Sequence, residues 1–253
     1  MKALVHAELL KLRSTRTTTG LLLATLAMVG LTVAFTVKDA GDQNAPLPLD
    51  DAGLLAGTVG ISFGVPQVLV VLLGCMAFSQ EFRYGTITST YLVEPRRTRV
   101  LAAKWLSVGL ASVVIATTTL ALSVPFGIAL IRSRNGDATV AAQFWQMVAA
   151  AFVVMVAYGA IGVAVGALVR NQIVAVVGVL VWMLAVEQIV INSFPAVGRW
   201  MPIGAAFALL QLGPAISLDG KLLSSSIGGL VLLGYTAAAV ALALHITPSR
   251  DVL

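Results

Sequence analysis

Charge is what this sequence has least of. Only 27 of its 253 residues are Lys, Arg, Asp or Glu, where a soluble domain of that length would carry about 63. Cysteine is nearly absent: Cys75 stands alone, which excludes an intramolecular disulfide framework. The two histidines, His6 and His245, sit at opposite ends of the chain, so no paired haem ligands exist within an apolar stretch. No Cys/His/Asp/Glu cluster has metal-ligand spacing, and no set of residues reads as catalytic. Period-2 alternation is missing as well, which argues against a barrel. These absences exclude a soluble enzyme, a disordered chain and a small disulfide scaffold.

What remains is apolar. Hydrophobic residues make up 58% of the chain, and the mean hydropathy is +0.96. A membrane-crossing helix needs about 20 predominantly apolar residues. Six stretches qualify, at about 18–37, 59–79, 105–131, 144–169, 173–192 and 222–246. The first exceeds the roughly 7–15 apolar residues of a cleavable signal and has no A-x-A-like site before Lys38, so it reads as a retained helix. The expected fold class is all-α: one polytopic membrane domain over 1–253 with six transmembrane helices.

Orientation follows from the basic residues. With the N-terminus inside, the cytoplasmic segments hold Lys2, Lys11, Arg13, Arg16, Arg83, Arg96, Arg97, Arg99, Lys104, Arg170 and Arg250, eleven in all. The outer segments hold five: Lys38, Arg132, Arg134, Arg199 and Lys221. Both termini are therefore expected in the cytoplasm. Asp39, Asp42, Asp50, Asp51, Asp137 and Asp219 fall outside. A pI near 9.7 follows from this topology, and no nucleic-acid partner is expected.

Three connections carry information. In residues 1–17, Val5, Leu9 and Leu12 recur at helical spacing among Lys2, His6, Lys11 and Arg13. That pattern suits an interfacial helix, or equally the overhang of the first span. In residues 80–104, Gly85 allows a break, Pro95 stops a helix, and Thr98 is a candidate N-cap for the third span. Between them a short helix over Thr86–Glu94 would present Tyr91 and Leu92 to a partner; an ordinary basic loop is the alternative. Residues 194–222 are apolar but interrupted by Pro195, Pro202 and Pro214. The run 203–212 is too short to span and suits a re-entrant or interfacial segment, or else an outer surface loop anchored by Trp200.

At residues 80–104 the chain resembles a family. Glu81-Phe82-Arg83-Tyr84-Gly85-Thr86, then Pro95-Arg96-Arg97 and Lys104, is similar to the loop after the second helix in ABC transporter permeases of the type-2 exporter class. His6-Ala7-Glu8-Leu9-Leu10-Lys11-Leu12-Arg13-Ser14 and the late Glu187 followed by Arg199-Trp200-Met201-Pro202 resemble it too. The resemblance implies a bacterial inner-membrane exporter half, with an interfacial helix before the first span and a coupling helix docking on a separate ATPase. The expected ATPase-coupling residues are Glu81, Phe82, Arg83, Tyr84, Gly85, Thr86, Tyr91, Arg96 and Arg97. Candidate pathway or gate residues are Glu187, Trp200, Pro202 and Phe207, with short helices before the final span at the outer face. Two ATPase copies carrying ATP and Mg, and a second permease subunit, identical or not, are the implied partners. The chain itself has no phosphate-cradling G-x-x-x-x-G-K-[ST] loop, because its one Gly-Lys pair, Gly220-Lys221, is followed by Leu222. No connection could hold an ATPase domain. The substrate implied is hydrophobic or amphipathic: a drug, an antibiotic peptide or a lipid. A non-ATP carrier is the alternative, though the halves 1–126 and 127–253 share no repeat; so is a sensory or immunity module.

Polar residues within the spans are few. Glu187 is an acid inside an apolar run, where such groups are costly. Substrate contact, structural pairing with the Arg199 segment or a helix end, and simple proximity to the outer interface all remain open. Pro66 and Pro125 are expected to kink the second and third spans. Gly60-x-x-x-Gly64 and Gly162-x-x-x-Gly166, with Gly159 and Gly178, would allow close helix approach. Met155, Met183 and Phe152 suit an apolar path or core filling.

Overall fold

The computed structural model describes all residues except 15, 43–44, 137, 170, 219 and 250–253, and leaves aside the side chains of 14, 16–18, 248 and 249. Among the charges counted above, Arg170, Arg250, Asp137, Asp219 and the Arg16 side chain lie outside the described residues. The described chain is helical without a strand and makes six crossings, over Thr19–Asp39, Leu54–Arg83, Arg97–Ser133, Ala142–Leu168, Gln172–Ser193 and Ser225–Thr247. It is an all-α polytopic membrane protein.

A helix α1 (Lys2–Ser14) precedes the first crossing, α2 (Arg16–Asp39). The second crossing is broken at Phe63 into α3 (Leu54–Ser62) and α4 (Gly64–Arg83). Pro66 stands in the first turn of α4, where a missing N–H costs nothing. The expected kink is therefore a break before the proline. A short α5 (Ile87–Val93) leads to α6 (Arg97–Ser133), which begins eight residues before the apolar run at Trp105 and continues through Pro125. Thr98 is not its cap: Arg96 occupies that position. The Arg96 amide donates to Glu94 Oε1 at 3.3 Å, and Arg99 pairs with Glu94 at 3.6 Å. Then come α7 (Ala142–Leu168), α8 (Gln172–Val181), a π-helical turn at Trp182–Val186, and α9 (Glu187–Ser193). The Asn171 side chain caps α8 by accepting from the amides of Ile173 and Val174. Two short helices, α10 (Pro195–Gly198) and α11 (Pro202–Leu209), and a 3-10 turn at Pro214–Ile216 precede the last crossing, α12 (Ser225–Ser249).

With six crossings, α1, α5 and the end of α12 share one face, called here the near face; the described residues of the 40–53, 134–141 and 194–224 connections share the other. α4 and α7 pack backbone to backbone. A Cβ on Gly74 would lie 2.5 Å from the Gly159 carbonyl, and one on Gly162 or Gly166 would fall on the carbonyl of Val71 or Cys75. Lipid tails are as apolar as leucine, so this close approach supplies association that burial alone cannot. By contrast Gly64 and Gly178 approach nothing, so the 60–64 pair is not a packing motif and Gly178 is open. Several serines and threonines in the crossings return their hydroxyls to carbonyls one turn back, as Ser79 does to Cys75 and Ser112 to Val108. Met155 is buried in the core and Phe152 packs against it.

Substituting Gly162 or Gly166 by Val should destabilise the α4–α7 pair by at least about 1–3 kcal/mol. Gly234→Ala, at a helix position with open space, should be neutral or stabilising. Thermal unfolding in detergent micelles would compare the three; equal melting would contradict the packing assigned.

Candidate functional site

Lys104 has no exposed side-chain surface. It lies where α6 enters the bundle, and burying its ammonium there is tolerable only with partners. It has three: Nζ donates to Glu8 Oε2 of α1 at 2.9 Å, to Glu81 Oε1 of α4 at 2.8 Å, and to the Ala77 carbonyl at 2.7 Å. An ammonium has three protons, so its donor capacity is filled. The Phe78 ring lies 5.6 Å from the same nitrogen. Lys11 closes the circuit from the half-exposed side, donating to Glu8 Oε1 and Glu81 Oε1 at 2.7 Å each. Burial alone would lower the Lys11 pKa, but the hydrogen bonds and charges of Glu8 and Glu81 outweigh it and raise it above 10.5. Its share of the tether is thus complete below about pH 10.5, and is lost only as pH rises through the raised value.

Two acids and two bases from three elements thereby neutralise one another. Glu8 centres the inward face of α1, flanked by half-buried Leu4, Val5, Leu9 and Leu12. Of this cluster, sequence reasoning singled out Glu81. Glu8, Lys11 and Lys104 stood in the quoted motifs without a role; a lone Glu amid an apolar stripe was the signal available.

The cluster anchors both ends of the 84–96 segment. α4 ends in a Schellman motif: Gly85 sits at φ +67°, its amide bonds Phe82, and the Thr86 amide bonds Glu81. α5 is held by buried Ile87, beside half-buried Phe82 and Tyr91. Phe82 stacks on Phe78 at 5.6 Å. Arg97 covers the Tyr91 ring at 5.3 Å, and Arg83 lies 5.6 Å from the ring of exposed Tyr84. Thr86 and Arg96 are exposed at either end of α5. At its tip, Leu92 and Val93 are 80% and 83% exposed. Of the nine expected coupling residues, Glu81 and Phe82 thus lie inward and the others line the segment's exterior or its seam.

The pathway candidates separate. Glu187 and Pro202 line one cleft of about 460 Å³, between α7 and α8. Ile161, Val165 and Val169 form one wall, Val174, Gly178 and Trp182 the other; Tyr158 and Met183 also line it, and Val71 of α4 contributes. Phe207 packs against the core clusters, and half-exposed Trp200 lies under Arg199, 6.0 Å from its guanidinium. Glu187 makes no ion pair with Arg199 among the described residues; the Ile203 amide, at the start of α11, lies against its carboxylate. Its Oε1 accepts from Trp182 Nε1 at 2.7 Å.

A family model described as "ABC-2 family transporter protein" matches residues 4–186, from α1 to the π-helical turn. The chain belongs to the ABC-2 transporter family. It is accordingly a permease, the membrane component of an ABC transporter that works with an ABC ATPase. The matched region of this ABC-2 permease includes the charge cluster and α5; Glu187 and everything after it lie beyond. No curated protein matches the sequence.

Replacing Lys104 with Met leaves Glu8 and Glu81 buried against each other and should cost about 3–5 kcal/mol. Adding Glu81→Gln should recover part of that loss. A double-mutant cycle on unfolding free energy measures it, and simple additivity would contradict a shared network.

Proposed function

We propose that this permease is half of an ATP-driven exporter and that its ATPase docks on residues 84–96. The observation that carries the reading is the apolar tip of α5. Leu92 and Val93 project from a helix whose base is fixed by Ile87 and whose flanks run into a buried ion cluster. Exposed apolar side chains on a clamped element suit a partner's pocket. Arg83, Arg96 and Arg99, exposed around them, add a basic rim that steers an acidic surface.

In this reading the near face is cytoplasmic in a bacterial inner membrane. Its basic residues, Lys2, Lys11, Arg13, Arg83, Arg96, Arg97, Arg99 and Lys104, outnumber those described opposite, Lys38, Arg132, Arg134, Arg199 and Lys221. Two permease copies, identical or paired with a second type, sit on two ATPase copies that hold ATP and Mg between them. Closure of the ATPases displaces α5. Because α4 and α6 meet α1 at Lys104, the three move as one lever, and the second and third crossings shift together. The substrate is hydrophobic or amphipathic, matching the apolar interior; α10, α11 and Phe207 close its exit.

The experiment is copurification with the candidate ATPase. Leu92→Asp should weaken the complex at least about tenfold, since a charge must then enter an apolar pocket. Membrane insertion and melting should stay unchanged, because Leu92 is exposed. Tyr91 is a poorer probe, being half-buried under Arg97. Full retention of the ATPase and of permease-stimulated ATP hydrolysis by Leu92→Asp would refute the docking assignment.

A further inference from the structure

The α7–α8 cleft is walled by hydrocarbon except at the end where Glu187 stands. Glu187 is 1% exposed, and its Oε1 is taken by Trp182. The Ile203 amide, at the start of α11, lies against the carboxylate, and Oε2 has no well-formed hydrogen bond among the described residues. Two more buried polar groups lie close by: the Tyr158 hydroxyl, within electrostatic reach of Glu187, and the Gln67 amide nitrogen, which faces that hydroxyl without a well-formed hydrogen bond. Glu187 and Tyr158 thus line an apolar cleft with Gln67 behind them, each at most 3% exposed. Buried polar atoms are ordinarily satisfied, and a carboxylate in hydrocarbon most of all needs a donor.

The backbone around Glu187 is specialised. The chain switches to a π-helical turn over Trp182–Val186, and the Glu187 amide donates to the Trp182 carbonyl five residues back. That turn puts side chains 182 and 187 on one face, which the indole–carboxylate bond requires. π-Turns inside α-helices are costly and concentrate at functional sites. Gly178, on the same wall, keeps the cleft open: a Cβ there would meet nothing within 4 Å. The volume of about 460 Å³ falls in the range of small-molecule sites, roughly 300–1,000 Å³.

We propose that this cleft binds an amphipathic amine, with its ammonium group on Glu187 Oε2 and its hydrocarbon body between Ile161 and Val165 of α7 and Val174 and Gly178 of α8. An ammonium supplies both the charge and the well-aligned N–H that Oε2 lacks. If amine and acid meet in their neutral forms, one proton passes from carboxyl to nitrogen and the same pair results. The Tyr158 hydroxyl can accept a second ammonium proton. Fatty acids are excluded by like charge, and alcohols and alkanes lack the charge. That such amines are also the exported substrates rests on the exporter reading above; the binding site itself does not.

The test is equilibrium binding of tritiated dodecylamine to the full-length permease in phosphatidylcholine nanodiscs, with empty nanodiscs subtracted. Saturable binding is expected. Unlabelled dodecylamine should displace it, dodecanoate and dodecanol should not, and dodecyltrimethylammonium, which has no N–H, should displace it weakly. Glu187→Gln should weaken binding at least about tenfold. Gly178→Leu, which fills the cleft and leaves Glu187 in place, should abolish it, with melting of both variants checked against wild type. Absence of saturable binding overturns the proposal. So does wild-type affinity in either variant, or equal displacement by dodecanol, which would make the cleft a seat for a lipid chain or a second permease copy. ATPase copurification with the same samples separates the two claims: no amine binding with the ATPase still attached removes the ligand assignment alone, whereas amine binding without an ATPase removes the exporter reading alone.

Discussion

One ammonium group holds the near face of this permease together. Lys104 is buried where water would otherwise surround it, and each of its three protons meets an oxygen from α1 or α4. The arrangement is poor in net stability, because desolvating charges offsets much of their attraction. What it supplies is registration. α1, the end of α4 and the start of α6 can meet in only one way if every charge is to be paired, and the 84–96 segment is strung between two of these anchors. A push on α5 therefore reaches the crossings through elements already fixed to one another.

The bundle above the cluster divides into a tight part and an open part. α4 and α7 touch at the backbone through Gly74, Gly162 and Gly166, a contact that lipid cannot replace. α7 and α8 instead diverge and leave the Glu187 cleft. Exposed side chains such as Ile173, Val177, Val181 and Leu184 on the fifth crossing incur no penalty in a bilayer, and this crossing meets the bundle through α4 and the buried Val179 and Met183. A rigid pair beside an open cleft suits a protein whose work is to open a path.

Much of this was legible in the sequence, and the physical reason is simple. Crossings announce themselves by length and apolarity, which need no tertiary partner, and the proline-interrupted stretch before the last crossing marked its own short helices. Boundaries were harder. The third crossing reads as starting at Trp105, because Arg97, Arg99 and Lys104 end the apolar run, yet the helix continues out of the hydrocarbon through those residues. The break at Phe63 was masked because the apolar run passes through it. Glu8 escaped notice because amphipathic patterning looks for apolar periodicity, and here the centre of the buried face is an acid. Gly178 was read as a close-contact glycine although it borders empty space; an absence of packing leaves no mark in composition. The family resemblance supplied the docking segment, but not the ion cluster beneath it.

The central claim is that α1 and the docking helix form one rigid unit joined at Lys104. Electron–electron distance measurement tests it directly, with spin labels at the exposed positions Ala7 and Thr88 and the buried Cys75 replaced by Ser. In the ATPase complex the distance distribution should stay narrow and unshifted between nucleotide-free and ATP-bound states, and should broaden when Lys104 becomes Met. A distance that shifts on ATP binding, or one indifferent to Lys104, would contradict the account.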